Sequence, residues 1–335
     1  MKSCFLIVLF LFLLGCGKKD PQLMVLQGSA FGTTYSIQFH SEDDFDAEKG
    51  IDSVLAAVNE SVSTYLPSSA ISRINRGDTT VVVDSIFKEV LRISKMVHAN
   101  SGGYFDPTVG VLRNAYGFGT IKPIAQLDRR VLDSLMQYVG LQKVRIRKNG
   151  TVFKEAREIY LDFNAVAKGY GIDCLGRYLE TQDATDFLIE LGGEILARGI
   201  NVQKKKPWVV GIESADSELD NRSYSHIVEL LDIAMASSGN YRKFRIDSIT
   251  GKKYVHTINP LTGLAEQSDI TSATVLAKTC GLADAYATTF MAMGLQKSKE
   301  LLSGLVGVEA YLTYWDENHQ PQVFMTEGFR KRILE

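Results

Sequence analysis

The chain has 335 residues, of which 45% are hydrophobic and 23% charged, with a formal net charge of −2. That composition excludes an intrinsically disordered chain and supplies material for a large core or two lobes. The near-neutral balance gives no broad attraction to nucleic acid; Lys204-Lys205-Lys206 reads as a solvated loop.

At the N-terminus Lys2 precedes an apolar run from Phe5 to Leu14, too short to span a bilayer comfortably, and Leu13-Leu14-Gly15-Cys16 closes it. This resembles a bacterial lipoprotein signal over residues 1–15, with Cys16 lipidated and a polar tether over 16–29 that opens Gly17-Lys18-Lys19-Asp20. The other reading is a simple membrane anchor helix; both imply export. Cys4 belongs to the signal, which leaves Cys174 and Cys280, each inside a helical pattern. They read as core residues rather than a disulfide framework, and no CxxC or Cys/His cluster suggests zinc.

From residue 30 the chain reads as one unit. Thr33 to His40 alternates as a half-buried strand, and Ile51, Val54, Leu55, Val58 and Val62 carry helical spacing until Ser63-Thr64-Tyr65-Leu66-Pro67 breaks it. Asp84 is placed to cap a second helix that ends at Gly102-Gly103, before the loop Tyr104-Phe105-Asp106-Pro107. Asp128 caps a shorter helix, a hairpin turns at Asn149-Gly150, and Ile159 to Asp162 reads as a strand. A helix is expected from Ala165 to about Glu180. Strands follow at Phe187 to Glu190, Ile195 to Ala197, Trp208 to Ile212, Ile227 to Leu230 and Ile233 to Ser237, with a tight turn at Gly192-Gly193. Ile270 to Ala277, Val308 to Trp315 and Val323 to Thr326 complete the strands. Neighbouring strands with helices set apart predict an α+β fold rather than repeating βαβ units.

Four segments interrupt this regularity with polar or glycine residues. Asp284 and Thr288 lie four positions apart among helix formers, so a carboxylate and a hydroxyl share one helix face, a pair that suits a hard cation or a solvated surface. The segment Asp162 to Gly169 puts Lys168 at a helix N-terminus, where an anion can sit or where a cap and a surface lysine suffice. His256 ends a strand-like run before the Asn259-Pro260 and Thr262-Gly263 turns; it reads as a proton acceptor or as a histidine bonded to a nearby carbonyl. The Tyr104-Phe105-Asp106 loop sets aromatics beside a carboxylate.

In order, Phe31-Gly32-Thr33, Ser63-Thr64-Tyr65, Ser101 to Pro107, Asp162 to Gly169, Ile189 to Glu194, Ser237 to Tyr241, His256 to Gly263, and Ala283-Asp284 to Thr288 resemble the FAD:protein FMN transferases, the ApbE-like flavin transferases. The resemblance implies a T-fold-like α+β architecture over residues 30–335, with mixed or antiparallel sheets, packed helices and two interlocked lobes. It implies transfer of FMN from FAD to a Ser/Thr hydroxyl of an exported or membrane-bound acceptor flavoprotein, with release of AMP. Mg²⁺ would be held by Asp284, Thr288 and the Ala165 carbonyl. FAD would be met by Phe31, Tyr65, Tyr104, Phe105, Asp106, Asp162, Lys168 and His256, and His256 would help deprotonate the acceptor. With the lipoprotein signal, it implies a membrane-anchored enzyme facing the periplasm or the cell exterior. Hydrolysis of FAD to FMN and AMP in the same site, and a lipoprotein that binds FAD without chemistry, are the alternatives. The chain departs from the common pattern at Asn164-Ala165, where two glycines are frequent, and at Phe31, where methionine is.

Overall fold

Strands β1 (Gln22–Ala30) and β2 (Thr33–Ser41) meet at the two-residue turn Phe31-Gly32, whose residues both have positive φ, 52° and 77°. This is the hairpin turn whose twist matches its strands; glycine adopts it freely, whereas phenylalanine is strained there. The Phe31 ring is braced against α6, described below, where a Cβ on Gly171 would lie 2.7 Å from it. The computed structural model describes residues 22–42, 45–124, 127–214, 223–239, 244–246 and 253–334. The leader, Cys16 and Asn240-Tyr241 lie outside them, and β1 takes up residues assigned above to the tether.

Helices α1 (Ala47–Val62), α2 (Ala70–Asn75), α3 (Ser85–Asn100), α4 (Gly110–Ala115) and α5 (Arg129–Met136) follow, then the hairpin β3 (Val144–Ile146) and β4 (Val152–Lys154). Asp84 caps α3 through Phe87 N–H at 2.8 Å, and Asp128 caps α5 through Val131 N–H at 2.8 Å, as their positions predict. After α6 (Ala167–Thr181) come β5 (Phe187–Leu191), β6 (Glu194–Arg198), β7 (Trp208–Glu213), β8 (Tyr224–Leu230), β9 (Ile233–Gly239), β10 (Phe244–Ile246), β11 (Lys253–Val255) and β12 (Ile270–Ala277). The chain ends with α7 (Cys280–Met293), α8 (Leu295–Gly304), β13 (Glu309–Trp315), β14 (Pro321–Met325), α9 (Glu327–Arg330) and β15 (Ile333–Leu334).

Eight strands make one sheet in the order β1-β2-β5-β6-β9-β12-β13-β14, with every neighbouring pair antiparallel. Helix α7 packs on β9 and β12, and α6 packs on α7, β5 and β6. The opposite face meets the small sheet β15-β8-β7, so β6, β9 and β12 are buried on both sides: Leu196 and Val275 face the helices, while Ile195 and Leu276 pack with Trp208 and Val228. Two buried faces explain why β12 is buried at every position from Ala273 to Ala277 rather than at alternate ones.

The α6–α7 crossing rests on reciprocal capping. Helix α7 has no side-chain cap of its own; the buried Asp173 of α6 accepts from Cys280 N–H and Gly281 N–H at 2.7 and 2.9 Å. In return Asp284 Oδ2 of α7 accepts from Gly169 N–H near the start of α6 at 3.0 Å. The approach demands glycine, because a Cβ at Gly169 would lie 2.4 Å from the Cys280 carbonyl oxygen.

The structure departs from the sequence reading at two places near the site. Residues 159–162 form no strand, only a bridge between Val109 and Tyr160. Their backbone is held by other groups: the Asn75 amide donates to the Leu161 carbonyl and accepts from its N–H, both at 2.8 Å, and Asp162 N–H donates to Pro107 at 2.7 Å. Helix α6 starts two residues later than expected, so Ala165 stands in the turn before it.

Two stability measurements follow. Burial raises the Asp173 carboxyl to about 6, against the two N–H donors that lower it. A raised folded value means a contribution fully present below the unfolded value of about 3.9 and lost as pH rises through 6. In urea unfolding, wild type loses ground to Asp173→Asn between pH 4 and 7, and Asp173→Ala, which orphans two N–H groups, costs about 2 kcal/mol at any pH above 6. His40 behaves oppositely: it is buried against Trp208, neither ring nitrogen has a hydrogen-bond partner among the described residues, and burial lowers its pKa from 6.5 while Asp186 opposes. The lowered folded value means stability falls as pH drops below 6.5, and His40→Leu reduces that fall.

Candidate active site

Asp284 is buried and Thr288, one turn further along α7, is half-buried, with its Oγ1 3.4 Å from Ser238 Oγ of β9. Lys168, in the first turn of α6, pairs with the buried carboxylate of Glu194 at the start of β6. Burial raises the Glu194 carboxyl; Lys168 pulls it back and Asp284 adds to the rise. Burial likewise raises Asp284, opposed by Lys168 and Gly169 N–H. The Lys168 ammonium is disfavoured by its own burial, but Glu194 and Asp284 outweigh that and its pKa is raised. Ala165 lies in the turn before α6, four residues ahead of the Gly169 whose N–H meets Asp284. An all-oxygen donor set fits a hard cation, so Asp284, Thr288 and Ala165 could hold one.

A second group joins two of the expected residues through one that the sequence did not point to. Arg113 of α4 donates from one guanidinium nitrogen to Asp162 Oδ2 at 2.7 Å and from the other to the Tyr65 hydroxyl at 2.9 Å. The other oxygen of Asp162, Oδ1, accepts from Asn164 N–H at 2.8 Å and from the Asn164 amide at 2.5 Å. Burial works against the Arg113 charge, but Asp162 and Tyr65 outweigh it and raise its pKa.

The Tyr104–Asp106 turn is built differently at each residue. Lys297 of α8 donates to the Tyr104 hydroxyl and lies 4.8 Å from its ring centroid. Phe105 is packed in the main core. The Asp106 carboxylate organises the turn, accepting from Thr108 N–H at 2.8 Å, Thr108 Oγ1 at 2.6 Å and Leu141 N–H at 2.9 Å. His256 follows β11 directly and is half-buried. Its loop is tightened by Gly263 N–H to the Asn259 carbonyl at 2.8 Å and tied to α4's end by the Tyr116 hydroxyl, 3.0 Å from the Gly263 carbonyl. A cavity of about 450 Å³ separates this loop from the turn, lined by His98, Gly103, Asp106, Gln142, Pro260 and Leu261.

The structure thus brings together Lys168 and Asp284 in one cluster and Tyr65 and Asp162 in another, with Phe31 against α6 and the 104–106 turn facing the His256 loop across a cavity. Sequence reasoning passed over Arg113, Glu194, Asp173 and Lys297. Glu194 had a legible signal: in β6 it shares a face with Leu196, so a carboxylate sits at a core-facing strand position. Arg113 had none, since its partners lie 48 and 49 residues away.

The ApbE family model matches residues 31–312. A FAD:protein FMN transferase of Vibrio cholerae is 34% identical over 298 residues, covering 86% of this chain and 86% of that protein. One from Haemophilus influenzae is 32% identical, covering 85% of this chain and 84% of that protein. The structure of the flavin transferase ApbE from Vibrio cholerae matches with a TM-score of 0.81 at 29% identity, over 93% of this chain and 99% of that one. The ApbE protein of Thermotoga maritima, at 22% identity and a TM-score of 0.81, shares the fold. On sequence and architecture together, the chain belongs to the ApbE family.

Proposed function

We propose that this protein transfers the FMN half of FAD to a threonine or serine hydroxyl of an acceptor protein and releases AMP. The observation that carries the reading is the buried oxygen cluster at the α6–α7 crossing, in a chain whose Vibrio cholerae and Haemophilus influenzae relatives bear the name FAD:protein FMN transferase. Asp284, Thr288 and the Ala165 carbonyl would hold Mg²⁺, which when bound neutralises pyrophosphate charge and favours departure of AMP.

The chain's own residues do the rest. His256 accepts the proton of the acceptor hydroxyl as its oxygen bonds to the FMN phosphorus and the bond from that phosphorus to the AMP oxygen breaks. Lys168, kept charged by Glu194 and Asp284, presents an ammonium in the first turn of α6, where a phosphate oxygen is favoured. Phe31, Tyr65 and Tyr104 offer flat faces to the ring systems of FAD. Phe105 contributes through backbone, since its ring is in the core, and Asp106 fixes the turn. Residues 1–15 act as a lipoprotein signal, the tether that starts at Cys16 gives way at Gln22 to β1 of the catalytic unit, and lipidated Cys16 holds that unit on the outer side of a membrane beside its acceptor.

The test combines FAD, Mg²⁺ and a candidate acceptor. Flavin fluorescence stays with the acceptor on a denaturing gel and AMP appears in equal amount; free FMN alone would mean hydrolysis, with water in place of the hydroxyl. Asp284→Ala lowers AMP release by about 100-fold or more, and Asp284→Asn, which keeps an acceptor for Gly169 N–H, does the same while holding the melting temperature nearer wild type. Persistence of Mg²⁺-dependent release in both variants would overturn the metal assignment. For the leader, the mass of the mature N-terminus places lipid on Cys16, and Cys16→Ser releases the protein from the membrane fraction; an intact Met1 end would refute it.

A further inference from the structure

We propose that Arg113 is a positioning residue for FAD: it locks the ring of Tyr65 into place beside the metal-site turn, so that an exposed aromatic platform stands at a fixed distance from the pyrophosphate. This rests on the reading that Tyr65 faces FAD.

Tyr65 belongs to the loop after α1 and is 61% exposed, a surface ring that would ordinarily sample several rotamers. Arg113, by contrast, leaves only 20% of its side chain exposed, and one planar fork reaches both partners, Asp162 at 2.7 Å and the Tyr65 hydroxyl at 2.9 Å. Its guanidinium carbon lies 6.0 Å from the Tyr65 ring centroid, and the ring stays 61% exposed with the guanidinium there. The preceding residue is tied to the same segment, because the Asn164 amide reaches Thr64 Oγ1 at 3.3 Å as well as Asp162. Thr64 and Tyr65 are therefore both fastened to residues 162–164, directly before Ala165. A ring stacked on Tyr65 and a phosphate held beside Ala165 then keep a constant separation, and the ring's rotamer entropy is removed before FAD arrives.

Neither oxygen of Asp162 lacks a donor, since Arg113 holds Oδ2 and Asn164 holds Oδ1. The carboxylate acts on FAD through this arrangement, as the buried pivot of the clamp. Lysine could not replace the arginine: an ammonium beside Asp162 is a point charge that lacks the second, coplanar nitrogen aimed at the hydroxyl.

The experiment measures kcat and KM for FAD by AMP release with Mg²⁺ in Tyr65→Ala, Tyr65→Phe, Arg113→Lys and the Tyr65→Phe/Arg113→Lys double variant. Tyr65→Ala tests the underlying reading and raises KM by about tenfold. Tyr65→Phe and Arg113→Lys each raise KM by about fivefold with kcat within about twofold, and the double variant is no worse than either single one. Tyr65→Phe leaves the Arg113–Asp162 pair intact, so it answers even where Arg113→Lys folds poorly. If Tyr65→Ala raises KM while Tyr65→Phe and Arg113→Lys do not, the reading of Tyr65 stands and the clamp is refuted. If Tyr65→Ala leaves KM unchanged, both fall. Additive effects in the double variant, or a loss confined to kcat, also overturn the clamp.

Discussion

Two carboxylates exchanged between two helices hold the centre of this protein. Asp173 of α6 closes the N-terminus of α7, and Asp284 of α7 closes that of α6. Each supplies what the other helix lacks, since neither has a side-chain cap of its own. The exchange is geometrically exacting because Gly169 brings the backbones so close that no side chain fits between them. Burying two carboxylates is unfavourable in isolation, and their raised pKa values record that penalty. The N–H donors and the positive ends of the two helices offset it.

Around that crossing, the parts assigned to FAD hang on separate supports. Asp284, Thr288 and Lys168 ride on α6 and α7, the Tyr65 ring is held from α4, and Tyr104 is held from α8. The His256 loop is fastened to α4's end through Tyr116. Helix α4 therefore supports two parts of the site, though it is only six residues long. The eight-stranded sheet supplies the platform beneath, and its buried faces explain why it tolerates a charged residue such as Glu194 only with Lys168 beside it.

Much of this was legible in the sequence. Alternation marked β2; Asp84 and Asp128 announced their helices; Gly192-Gly193 turns where expected, with both φ values positive at 62° and 99°. Features set by distant partners were not. Strand β1 is the sheet edge, mostly exposed, so its burial contrast is weak and it read as tether. Residues 159–162 have strand composition but are bonded by the Asn75 side chain. Asp173 lies mid-helix, where an aspartate reads as solvated, and only the arrival of α7 gives it a role. Asp284 and Thr288 stood out by their spacing and took their expected cation role from the family resemblance, yet the spacing said nothing of Gly169, Glu194 or Ser238.

The bond from Gly169 N–H to Asp284 has a further meaning. One oxygen of the carboxylate is tethered to backbone within the folded chain, so its rotamer is chosen by the fold rather than by any ion. An incoming cation would meet a ligand already aimed, losing little side-chain entropy, and would compete for electron density with an amide that does not move. The site would then differ little in shape between its empty and loaded states, and selectivity among divalent ions would be set by the rigidity of a helix crossing more than by the identity of its donor atoms.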